Sequence, residues 1–129
     1  MAAPLLRIDL RAGSPAYRQI VDALRTVLVG GGLRPGDRLP PVRQLALDLG
    51  VHFNTVAEAY RLLAREGWLD LRRRRGAVVL ARRQPEPGQE AAEAFVRRLR
   101  EFVAEWRAGG IPAAAIVREL RAQADLLKK

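Results

Sequence analysis

The 129-residue chain has no cysteine, one histidine (His52), one serine (Ser14), one asparagine (Asn54) and two threonines (Thr26 and Thr55). Without cysteine there are no disulfides, thiolate zinc sites or thiol nucleophiles, which suits a reducing compartment. A nucleophile with its base and orienting group, or a metal site, needs several such side chains brought together. Here they can scarcely be assembled. Paired carboxylates such as Asp48 with Glu58 remain available, yet most acids stand beside Arg at helical spacing and read as solvated pairs. The glycines at 30 to 32 are not followed by the Gly-Lys-Ser/Thr of a phosphate loop. No apolar run nears the roughly 18 residues of a membrane-spanning helix, and residues 1 to 13 carry charges throughout. The expectation is a cytoplasmic binding module rather than an enzyme, with no catalytic residue, metal, cofactor or membrane partner.

Arginine is what the chain has in quantity. Of its 23 basic residues only two are Lys, and the net charge is +9. Residues 1 to 83 hold 15 Arg and 7 acids, a net of +8, whereas residues 84 to 129 hold 8 Lys and Arg and 7 acids, a net of +1. A basic front would meet a polyanion and a near-neutral back would meet protein. An arginine-favouring genome would explain Arg over Lys but not this asymmetry. With 49% apolar residues, 11 Gly and 8 Pro, the chain has the composition of a folded protein, one domain or a small domain with an appendage.

Ser14-Pro15 offers an N-cap and a first-turn proline, and Ile20, Val21, Leu24, Val27 and Leu28 follow at helical spacing, predicting a helix over 15–29 that stops at Gly30-Gly31-Gly32. Pro35-Gly36-Asp37 is turn chemistry. Pro40-Pro41 opens a short helix with Val42, Leu45, Ala46 and Leu49 inward, ended by Gly50. Only Gly50, Val51 and His52 separate it from a pattern with Val56, Ala59, Tyr60 and Leu63 inward, closed by Gly67. Two short helices joined by so tight a glycine-containing turn make a helix-turn-helix, which an ordinary helical hairpin would not need. Trp68-Leu69-Asp70-Leu71 and Ala77-Val78-Val79-Leu80 then look like two strands bracketing Arg72 to Gly76. This hairpin presents the arginine run beside the helix-turn-helix, a placement that speaks against a nuclear-localisation tract.

Residues 17 to 81 resemble the winged helix of the GntR family of bacterial transcription regulators. The elements PGDRLPPVRQLA, NTV, AY and EGWL are each short but jointly specific, and the stretch covers about half the chain. Residues 6 to 13, LRIDLRAG, are similar to the extended arm before helix one in the YtrA-like subgroup, and the brief tail also fits. Most family members carry a large effector-binding domain after the wing, or in a related group an aminotransferase-like domain; residues 82 to 129 are too short for either. Past the linker Gln84-Pro85-Glu86-Pro87-Gly88, a helix with Phe95, Leu99, Phe102, Val103 and Trp106 on one face runs to Gly109-Gly110. A second begins near Pro112 with Ile116, Leu120, Ala124 and Leu127. A two-helix hairpin cannot bury both stripes by itself. Pairing with a second copy would bury the rest, the use known for the subgroup's tail, and packing on the chain's own winged helix is the other choice. The expected fold is therefore mainly α with a small β-hairpin: an arm and winged helix-turn-helix over 1–83, then a two-helix dimerisation hairpin over 84–129.

Such a dimer would set two recognition helices, about 53–66, in successive major grooves of double-stranded DNA, reading an inverted-repeat operator. The outward face of that helix carries Asn54, Glu58, Arg61 and Arg65, with Phe53 and Thr55 flanking its start. The resemblance implies that His52, Phe53, Asn54 and Thr55 approach DNA and that Arg43, on the preceding helix, grips a guanine or a phosphate. His52 can equally be a plain helix cap. The family usually has a basic residue at the position of Ala57 or Glu58, and neither is basic here. Arg74 stands where many members have glycine. The wing, Arg72, Arg73, Arg74, Arg75 and Gly76, is thus expected to carry a large share of the affinity through phosphates and the minor groove. The leading function is a dimeric, sequence-specific repressor. The alternatives are a nonspecific or architectural nucleic-acid-binding protein and a bare dimerisation module. Nothing in the sequence points to a small-molecule effector.

Overall fold

A computed structural model describes residues 8–72, 76–82 and 84–128. The chain forms two compact units that divide between residues 83 and 84.

In the first unit, α1 (Ala16–Val29), α2 (Val42–Leu49) and α3 (Phe53–Arg65) enclose one core. Helix α1 buries Ile20, Val21, Leu24 and Leu28, as the spacing predicts, with Val27 half-buried. Its start differs from the sequence expectation. Pro15 rather than Ser14 is the cap residue, with extended ψ of 149° and no side-chain cap bond. The Pro15 carbonyl accepts from the N–H groups of Arg18 and Gln19, while the Ser14 carbonyl is taken by Gln19 Nε2. Pro41 and Pro112 begin α2 and α5 in the same way. Proline suits this half-helical position because it has no N–H to leave unpaired and its φ is already set.

Helix α3 runs through the middle of the unit, burying Val56, Ala59, Tyr60 and Leu63 against α1 and α2. Burial of an aliphatic side chain such as Val56 or Leu63 stabilises the fold by about 1.5–3 kcal/mol. Between α2 and α3 the chain reverses at Gly50, whose φ of 72° lies in the left-handed region that glycine enters without steric cost. The N–H of Val51 then returns to the carbonyl of Ala46 at 3.0 Å. At the other end of α3, Gly67 takes φ of 90°. Its N–H bonds to Ala64 and that of Trp68 to Leu63, the paired bonds of a Schellman stop.

The hairpin is present but shorter than its sequence pattern. Strand β1 (Leu69–Asp70) pairs antiparallel with β2 (Val78–Val79), Leu69 opposite Val79 and Asp70 opposite Val78, and one further bond joins Leu80 to Trp68. Leu69 and Val79 point into the core. The far side of β2 is occupied by the end of the Pro35-Gly36-Asp37 turn and the two residues after it, to which the sequence pattern assigns no element. Arg38 bridges Val78, Leu39 donates to Ala77, and Val79 donates to Asp37. Leu39 is buried as a result. Strand β2 is therefore paired on both edges. The arm also departs from expectation: residues 10 to 14 form turns rather than extended chain, and residues 6 and 7 lie outside the described residues. Gln19 ties the arm down, accepting from the Asp9 N–H at 2.7 Å and donating to the Asp9 carbonyl at 2.8 Å. The unit is a winged helix-turn-helix.

The second unit consists of α4 (Gln89–Ala108) and α5 (Ala113–Leu127), joined across Gly109 and Gly110. Neither helix contains a buried residue. No helix among the described residues is long and apolar enough to cross a membrane.

Candidate nucleic-acid interface

The start of α3 is built around His52. Its Nδ1 accepts from the backbone N–H of Asn54 at 3.1 Å, so the sole histidine is the helix cap. The next residue, Phe53, stacks on the His52 ring at 4.6 Å between centroids and 27° between planes. Arg43, near the start of α2, lies over the same Phe53 ring with its guanidinium carbon 4.6 Å from the centroid. The turn and the two helices thus bring Arg43, His52 and Phe53 into one cluster on the unit's surface.

Beyond it, Asn54, Glu58, Arg61 and Arg65 are all exposed, while the opposite face of α3 is core. Thr55 is half-buried and its N–H bonds to the His52 carbonyl. No ion pair joins Glu58 to Arg61 or to any other described residue. Tyr60, one turn further inward, donates to the Pro40 carbonyl at 2.7 Å and so pins α3 to the entry of α2. Burial of its phenol raises the pKa well above the ordinary value, keeping it a neutral donor. A cleft of about 200 Å³ is lined by Pro41, Ala57, Arg61, Leu71 and Gly76. It brings the base of the wing beside α3.

Within the wing, Arg72 bonds to the Asp70 carboxylate through both its backbone N–H at 2.9 Å and its Nε at 3.3 Å. The Arg72 side chain is nevertheless 88% exposed, so this pair orients more than it stabilises. Gly76 is exposed with φ of 84°. Arg73, Arg74 and Arg75 lie outside the described residues. Among the described residues no group of three or more His, Asp or Glu is placed to hold a metal.

Three supports of this surface have no signal in the sequence pattern. Arg25 of α1 pairs with Glu66 at the end of α3, with Nη2 2.6 Å from Oε2. Arg82, just past β2, lies over the Trp68 ring at 4.5 Å and donates from Nε to the Glu66 carbonyl at 2.8 Å. Gln19 holds the arm. All three act between residues ten or more apart in sequence, beyond the reach of helical or strand periodicity.

In the second unit, Leu99, Phe102, Val103, Trp106, Ile116 and Leu120 line a single groove of about 340 Å³ between α4 and α5. Phe102 is 60% and Trp106 50% exposed. Phe95 falls outside that groove, against a neighbouring depression that shares Leu99 and Phe102.

The family model for bacterial regulatory proteins of the gntR type matches residues 16–79. The chain is also 39% identical over 119 residues to the HTH-type transcriptional regulator Rv1152 of Mycobacterium tuberculosis, covering 89% of this chain and 90% of that one. The protein belongs to the GntR family. It is a GntR-type DNA-binding transcription regulator, and its relatives are regulators rather than enzymes. The HTH-type transcriptional repressor YtrA of Bacillus subtilis is 39% identical over 75 residues, a match spanning 58% of each chain. The solved structure of YtrA from Sulfolobus acidocaldarius, a GntR-family transcription factor, aligns over 96% of this chain and 100% of its own, with 31% identity and a TM-score of 0.58. At the level of fold alone, the DNA-binding domain of AraR, solved in complex with operator ORX1, aligns over 60% of this chain with 22% identity and a TM-score of 0.54.

Proposed function

We propose that this GntR-family regulator is a repressor that binds an inverted-repeat operator as a homodimer. In this reading α3 enters the major groove, and the reading side chains are Arg43, His52, Phe53, Asn54, Thr55, Glu58 and Arg61. The wing, Arg72 to Gly76, holds phosphates and the minor groove alongside. The observation that carries the reading is the exposed row from Asn54 to Arg65 on a helix whose other face is locked into the core, next to the surface cluster of Arg43, His52 and Phe53. A rigid helix with one polar face free is what groove docking requires. Residues 1–83 would be the DNA-binding domain and 84–129 the dimerisation region. Two helices with no buried residue and an apolar groove support that division of labour, because a second copy would cover surface that the unit leaves wet. The repressor name of the Bacillus subtilis relative supports the direction of regulation.

Selection of bound fragments from random duplex DNA, with sedimentation of the free and bound protein, tests this reading. The expected result is a dimer enriching an inverted repeat whose half-sites lie about one helical turn apart. Enrichment of no sequence would overturn it.

A second reading, nonspecific or architectural binding, is favoured by Glu58, an acid on the outward face of α3 without an ion pair to a described residue. Operator and random duplex compared at one salt concentration separate the two, since specific binders gain about 10³-fold or more.

A further inference from the structure

Phe53 begins α3 with 37% of its surface open, and it belongs neither to the buried core nor to the apolar side chains packed on it. A large ring left outside the core gives up the stabilisation that burial would bring. Two polar side chains lie against the ring. The Arg43 guanidinium lies 4.6 Å over the ring, within cation–π range, and His52 stacks on it while being held in turn by the Asn54 N–H. No described carboxylate lies within ion-pair distance of Arg43, and no hydrogen bond to a described residue engages it. The ring rather than a counter-ion therefore orients the guanidinium, and its donors are left for an outside acceptor.

Resting on the DNA-reading surface proposed above, the geometry points to a two-residue base-step reader. Arg43 grips a guanine, and Phe53 packs on the C5-methyl group of the pyrimidine in the neighbouring base pair. The chemistry fits each half: a guanidinium matches O6 and N7 of guanine bidentately, and an apolar ring matches the methyl group that thymine presents in the major groove. The spacing fits as well. Successive bases along a strand are about 3.4 Å apart, so a guanidinium held 4.6 Å from a ring centroid addresses adjacent base pairs rather than one. The same methyl group occurs on 5-methylcytosine, which Phe53 would accept equally. Phe53 is thus a specificity residue in its own right and a positioning residue for Arg43.

The test uses the full chain on its selected operator, with the base next to the preferred guanine replaced in turn. Deoxyuridine for thymine removes only the methyl group, and binding should weaken about fourfold per half-site. Adding the methyl to cytosine at that position should strengthen binding by a similar factor, which distinguishes the two sources of the group. In Phe53→Ala both ratios should fall to about one and the preference for guanine should drop. Phe53→Leu should keep the methyl ratio while losing guanine preference, since it retains apolar surface without an aromatic face. Equal wild-type binding to thymine and deoxyuridine overturns the inference. So does a Phe53→Ala variant that weakens every duplex by one factor and leaves both ratios intact. Should that variant fail to fold, the wild-type thymine and deoxyuridine comparison decides by itself. A selection that enriches no sequence would overturn the sequence-reading function, and this inference with it.

Discussion

Arg25 of α1 meets Glu66 at the end of α3 through two hydrogen bonds, Nη2 to Oε2 at 2.6 Å and Nε to Oε1 at 3.3 Å. The carbonyl of the same Glu66 accepts from Arg82, so one residue ties together α1, the end of α3 and the chain after β2. Both partners are partly exposed, and solvent screening limits what the pair contributes. A double-mutant cycle with Arg25→Ala and Glu66→Ala, read by urea unfolding, should give a coupling of about 1 kcal/mol that shrinks as salt is raised.

Tyr60→Phe should cost about 1–2 kcal/mol, because the Pro40 carbonyl loses its donor. The pH dependence has a definite sign. Burial raises the folded-state pKa of Tyr60 above its unfolded value, so the native chain holds this proton more tightly. That contribution is fully present below the unfolded value of about 10 and is lost as pH rises above it. Urea midpoints should therefore fall more steeply above about pH 10 in the wild type than in Tyr60→Phe.

Gly50→Ala should destabilise by about 1–2 kcal/mol. A Cβ at Gly50 would meet no atom within 4 Å, so the cost comes from the left-handed backbone and not from crowding. Gly50→Asn should cost less, since Asn visits that region more readily. Thermal unfolding of the three proteins ranks them.

Replacing Arg73 and Arg74 by Ala should weaken binding to all duplexes and flatten the slope of log K against log salt by about 0.9 for each phosphate no longer neutralised. An unchanged slope would show that these arginines do not touch phosphate. Glu58→Lys should instead change which sequences are preferred, and a uniform gain in affinity would remove Glu58 from the readers.

Phe102→Glu should shift the protein toward monomer in sedimentation while leaving the melting of the winged unit unchanged. Phe102 is 60% exposed in the single chain, so a carboxylate there can stay hydrated, whereas the proposed second copy would take it out of water.

Helix existence was legible because apolar residues recur with the helical period: Ile20, Val21, Leu24 and Leu28 on α1, and Val56, Ala59, Tyr60 and Leu63 on α3, are all buried. The stop at Gly67 was legible because a left-handed residue there closes the helix with two backbone bonds. The cap expected at Ser14 falls one residue later, since proline fills the half-helical position as well as the first helical one. The sequence pattern marks Pro35 to Asp37 as a turn and gives Arg38 and Leu39 no element, because their pairing to β2 depends on a strand some forty residues away.

By itself the sequence determined the local elements, the two-part charge division and the tight turn of a helix-turn-helix, all of which rest on spacing of a few residues. The tertiary structure decided which side chains share a place. It set Arg43 on Phe53, Arg82 on Trp68 and Arg25 on Glu66. Those pairings arise where separate elements pack, and no periodicity along the chain encodes the distance between a residue on one helix and a residue on the next.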